Sequence, residues 1–108
     1  MPKKAMELLT ETMFYVLMAL SCAPMCGTDI VSWAERVTHG RVRMGPATIY
    51  TILARFEQEK IIRETEVEGR KRTYCITEKG KMAYDEELFR LRRCVADAEA
   101  VRGEKHEK

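Results

Sequence analysis

Apolar residues recur near the start of the chain at Leu9, Met13, Val16 or Leu17, and Leu20, the spacing of a helix face. Met6, Phe14 and Met18 extend that face around most of the circumference, so the first helix is expected to be buried on more than one side. It should end near Ser21 to Ala23, because Pro24 disfavours helical geometry in the residue before it and Gly27 interrupts the next turn. A second helix is predicted to start at Thr28 or Asp29, each a suitable N-cap. It runs through Ile30, Val31, Trp33, Ala34 and Val37 before Gly40 closes it. The third helix opens at Gly45-Pro46, where proline's missing N–H costs nothing. Its Ile49, Ile52, Leu53 and Phe56 fall at i, i+3, i+4 and i+7 and point to a core, leaving Thr48, Thr51, Arg55 and Gln58 opposite and Tyr50 on the flank.

Two β-prone stretches follow, Ile61 to Val67 and Arg72 to Thr77, and read as a hairpin with Gly69 at the turn. Thr77 then caps a last helix, whose opening turn Gly80 weakens by about 1 kcal/mol relative to alanine. Tyr84, Leu88, Leu91, Val95 and Ala98 step by 4, 3, 4 and 3 residues, a heptad seam that wants a partner along one stripe. From Glu78 to Val101 that helix would be roughly 36 Å long, more than so small a domain can cover. The expected architecture is mainly α with a small β-hairpin: a winged helix-turn-helix over residues 5–77, a C-terminal dimerisation helix over 78–102 and a charged tail over 103–108.

The 108 residues suffice for one domain, and 45% hydrophobic with 33% charged residues is a globular composition. The longest apolar run, Met13 to Leu20, is too short to span a bilayer, and no cleavage pattern follows the basic first residues, so a cytoplasmic chain without a membrane partner is expected. The net charge of +2 divides into −2 for residues 1–35, +4 for residues 36–77 and zero thereafter. Arg36, Arg41, Arg43 and Arg55 share a stretch with no carboxylate, and Arg70-Lys71-Arg72 forms a second basic knot. Positive charge concentrated ahead of the third helix, on it and at the hairpin tip matches the places where a winged helix-turn-helix meets DNA. Arg41 and Arg43 are expected to position the phosphate backbone, and Arg55 either to do so or to pair with Glu59.

The stretch GPATIYTILARFEQEKIIRE, followed by EGRKRTYCITEKGK, resembles the PadR family of transcriptional regulators, in particular its short branch with one dimerising helix. The resemblance runs from Leu8 to about Leu91. It implies a homodimeric repressor that reads a palindromic double-stranded DNA operator and releases it when a small, often apolar or aromatic, effector binds near the dimer interface. By position it places Thr48 and Tyr50 at the family's DNA contacts, and Arg70, Lys71 and Arg72 at its basic wing; Thr51 is expected at the DNA from its place on the outward polar face. The chain departs from the family pattern where Cys26 replaces the usual aromatic before Gly27, and where Leu91 stands near the seam tryptophan of some drug-sensing members.

An effector cavity is expected among Phe14, Tyr15, Met18 and Phe89 of a second copy. Cys22, Cys26, Cys75 and Cys94 lack the spacing of a zinc site, so no metal and no cofactor is expected. His39 and His106 lie in a loop and a tail, and no nucleophile has an evident base, which argues against an enzyme. Two alternatives stay open from the residues alone. One is an architectural or protein-interaction winged helix without operator recognition. The other is a thiol-redox-sensing repressor, with Cys94 flanking the seam.

Overall fold

The computed structural model describes residues 9–69 and 71–106, so Met6 and Arg70 lie outside the described residues. Helix α1, Glu11–Cys22, is capped by Thr10, whose hydroxyl accepts from the Met13 N–H at 3.1 Å, with Glu11 placing an acid in the first turn. It buries Met13, Phe14, Val16, Leu17, Ala19 and Leu20, which is why its apolar surface is so broad. The chain is already extended at Ala23, ahead of Pro24, and forms a short strand β1, Met25–Cys26.

Helix α2, Gly27–Val37, begins directly after that strand. Its N-cap is therefore Cys26 and not Thr28 or Asp29, because pairing of Met25 with Tyr74 and Cys26 with Thr73 holds the backbone extended up to the first helical residue. Thr38 ends the helix. Its hydroxyl donates to the Ala34 carbonyl at 2.7 Å and accepts from the Val42 N–H at 2.9 Å, while Gly40, at φ +82°, turns the chain back. Helix α3, Pro46–Gln58, has Gly45 as N-cap and buries Ile49, Leu53 and Phe56, with Ile52 half-buried.

Strands β2, Ile62–Glu68, and β3, Lys71–Ile76, form the expected hairpin, and β1 adds a third strand in the order β1-β3-β2. The register slips by one residue at Thr65, which bulges between Glu64, opposite Tyr74, and Glu66, opposite Thr73. Gly69, at φ +62°, occupies the hairpin turn.

Helix α4, Glu78–His106, is locked to the module at its first turn. The Thr77 hydroxyl accepts from the Gly80 N–H at 3.1 Å and donates to the Lys60 carbonyl at 2.8 Å, and the Thr77 N–H donates to the Ile61 carbonyl at 3.1 Å. The helix continues through Gly103 to His106, across much of the segment expected to be a charged tail beyond the helix. Its first half lies on α1, with Tyr84 stacked on Phe14 at 5.2 Å. Residues 92–104 are all exposed. The protruding arm stretches the molecule to 63 × 40 × 22 Å.

Candidate nucleic-acid interface

The outward face of α3 carries Thr48, Tyr50, Thr51 and Arg55, all exposed, because Ile49, Leu53 and Phe56 turn the other side into the core. Next to it lies a groove of about 630 Å³ lined by Cys26, Gly27, Thr28, Tyr50, Lys71, Arg72 and Tyr74. Three elements meet there: the start of α2, the flank of α3 and the hairpin strand β3. Gly27 makes the junction possible. A Cβ at that position would lie 3.2 Å from Cε1 of the Tyr50 ring, tight enough to push the tyrosine outward.

The N-cap Cys26 makes no side-chain bond to the α2 amides, its Sγ lying instead 3.2 Å from the Thr28 hydroxyl. The groove thus combines a helix N-terminus, favourable to negative charge, with Lys71 and Arg72 on the opposite wall. Arg72 lies 3.7 Å from Glu64. Burial above all, with the carboxylates of Glu57 and Glu64, pushes the Tyr74 phenol above its ordinary pKa, against the effect of a hydrogen bond with Arg72. Tyr74 therefore stays neutral at physiological pH. This combination can accept a phosphate backbone along the groove while the α3 face meets base edges.

The other expected contacts distribute differently. Arg43 folds back on the turn, donating from Nε to the Gly40 carbonyl at 3.1 Å and lying 3.5 Å from Glu35. Arg41 reaches α1, donating from Nη1 to Glu11 at 2.5 Å and from Nη2 to the Tyr15 hydroxyl at 3.1 Å. Neither guanidinium lines the groove.

A second groove, of about 410 Å³, runs between α1 and α4 and is lined by Leu9, Thr10, Glu11, Phe14, Tyr15, Glu87, Arg90 and Leu91. It brings together two of the expected effector residues, Phe14 and Tyr15. Met18 lies outside it, and Phe89 points to solvent, 61% exposed, beneath the Arg93 guanidinium at 5.7 Å. Glu87 was not singled out from the sequence. It is 6% exposed and bonded by Arg90 at 2.6 and 3.0 Å, a pair that its three-residue spacing could have flagged. On the seam, Tyr84, Leu88 and Leu91 are half-buried against their own chain, whereas Val95 is 59% exposed and Ala98 is exposed.

Cys22 and Cys94 are exposed, Cys26 is buried and Cys75 is half-buried. Among the described residues no group of His, Cys, Asp or Glu side chains could hold a metal, and no helix is long and apolar enough to cross a membrane.

Two helices joined by a tight turn, the second with an outward polar face, followed by a β-hairpin at whose edge basic side chains stand, define a winged helix-turn-helix DNA-binding protein. Residues 16–86 match the transcriptional regulator PadR-like family, and the chain belongs to it. The chain is 32% identical over 83 residues to an uncharacterised 37.1 kDa protein in transposon TN4556 of Streptomyces fradiae, spanning 77% of this chain and 24% of that protein, or about a quarter of its length. Among solved structures, a transcriptional regulator from Clostridium thermocellum shares the fold with a TM-score of 0.68 at 24% identity, over 80% of this chain and 89% of that one. Bacillus subtilis PadR in complex with operator DNA does so with a TM-score of 0.63 at 22% identity, over 70% of this chain and 46% of that one.

Proposed function

We propose that the protein is a homodimeric, ligand-responsive repressor that binds a palindromic operator. The observation that carries this reading is the meeting of the polar α3 face with a groove walled by Lys71, Arg72 and the α2 N-terminus. Thr48, Tyr50, Thr51 and Arg55 enter the major groove, and Lys71 and Arg72, together with Arg70, hold phosphates; Arg43 contributes charge at the turn. Bacillus subtilis PadR, which shares the fold, is in complex with operator DNA, which supports the same partner here.

The second half of α4 supplies the dimer contact through Val95 and Ala98, with Tyr84, Leu88 and Leu91 continuing the stripe toward the module. A small apolar or aromatic effector occupies the groove beside Phe14 and Tyr15, near Met18 of the same chain, and the dimer closes it further with Phe89 of the second copy.

Footprinting of the purified protein on the promoter upstream of its own gene tests the reading directly. The expected result is one protected region with two-fold symmetry. Random duplex bound as tightly as that promoter would overturn operator recognition and leave an architectural DNA-binding protein.

A further inference from the structure

Arg41 stands in the turn that leads into α3, four residues before the Gly45 N-cap. Its side chain leaves that turn and reaches α1, where it meets two acceptors at once: the Glu11 carboxylate at 2.5 Å and the Tyr15 hydroxyl at 3.1 Å, with the guanidinium 5.8 Å from the Tyr15 ring centroid. Glu11 and Tyr15 are one helical turn apart and share a face, so the planar fork engages both at once, one nitrogen to each.

Both acceptors also line the α1–α4 groove. Tyr15 meets Phe14 edge-on at 6.2 Å, and Phe14 stacks on Tyr84 of α4 at 5.2 Å and 21°. Contacts thus run without a break from the turn, through α1, to the long arm. On its inner side the same turn is fixed by buried Val42 and Met44. Its outer side is attached to α1 by Arg41, while Arg43 lies 3.5 Å from Glu35 of α2.

We infer that Arg41 is a positioning residue, one that ties the turn before the DNA-reading helix to the wall of the α1–α4 groove. This rests on the DNA-binding reading above and revises the expectation that Arg41 grips the phosphate backbone. The Arg41 and Glu11 side chains are both more than half exposed, so their ion pair is a weak stabiliser of the fold. What the pair supplies is orientation. The Arg41 guanidinium is spent on α1, and the groove that holds Tyr50, Lys71 and Arg72 shares no lining residue with the one it joins. A molecule that enters the α1–α4 groove and engages Glu11 or Tyr15 competes with Arg41 and loosens the turn.

The test is a cycle of Arg41→Ala, the Glu11→Gln/Tyr15→Phe double variant, their combination and Arg41→Lys, each titrated with promoter DNA at several salt concentrations. Arg41→Ala and the double variant should each weaken binding by about fivefold or more, the lower end of what coupled sites show, and the combination should weaken it no further. Arg41→Lys should not restore affinity, and the slope of log K against log salt should stay that of the wild type. A slope that falls by about one in Arg41→Ala, as loss of a phosphate contact requires, would overturn the inference; so would additive losses or wild-type affinity.

Amide hydrogen exchange on the free protein gives a readout independent of DNA. Residues 41–49 should exchange several-fold faster in Arg41→Ala with the α1 core unchanged, and an unchanged pattern refutes the tie. A wild-type protein that binds no duplex while its Arg41→Ala variant exchanges faster would sink the DNA-binding reading alone.

Discussion

Gly80 sits in the first turn of α4, where a Cβ would collide with the Ile61 carbonyl oxygen and come within 2.7 Å of Ile76 Cγ1. In an isolated helix alanine there would be better by about 1 kcal/mol. Here the sign reverses, because the blocking atom is backbone already bonded to Thr77 and cannot turn aside. Gly80→Ala is expected to destabilise the protein by about 2 kcal/mol, read as a drop of several degrees in thermal midpoint by circular dichroism. The sequence marks Gly80 only as a weak point in a helix. The reason for it, a carbonyl 19 residues earlier in the chain, is a tertiary fact. The same holds for Arg41, whose nearest charged neighbour in sequence is Arg43 and whose partners lie 26 and 30 residues away. By contrast Thr77 and its cap were legible, since a threonine before Glu-Lys-Gly needs only local geometry.

At the scale of elements, the long periodic segments were readable and the short or irregular ones were not. The faces of α1 and α3 follow from spacing alone. Strand β1 has two residues, too few to carry any alternation, and its existence depends on Tyr74 and Thr73 far along the chain. It also displaces the α2 cap to Cys26. The bulge at Thr65 is equally silent in sequence, yet by shifting the pairing it sets Lys71 opposite Glu68, so that Gly69 lies in the turn and Lys71 and Arg72 stand at the wing's edge. If these two cations contact phosphates, replacing both by alanine should weaken promoter binding and flatten the slope of log K against log salt by nearly two. Titrations at four or more salt concentrations resolve such a change. A parallel line displaced to weaker binding would instead assign the pair to wing structure.

For the whole molecule, a near-neutral total conceals a division of labour. The middle of the chain carries the positive excess and forms α3 and the hairpin, while the balanced C-terminal third forms the arm. The heptad stripe predicts a partner for the arm, but not that burial falls off along it. Tyr84 stacks on Phe14 of α1, Leu91 lines the α1–α4 groove and Leu88 is half-buried, whereas Val95 and Val101 are each 59% exposed. Replacing Val95 and Val101 by glutamate should therefore convert a sedimenting dimer to a monomer at micromolar concentration with the fold of the module intact. A wild-type monomer in the same experiment would refute the homodimer.

The joint between module and arm has a mechanical consequence. Thr77 bonds Lys60 and Ile61 on one side and Gly80 on the other, and no spacer residue intervenes before the arm begins. Such a joint transmits rotation and does not absorb it. In the proposed dimer the two reading heads then sit like the jaws of a fixed caliper, and the distance between operator half-sites is written into the angle at which this arm leaves the wing.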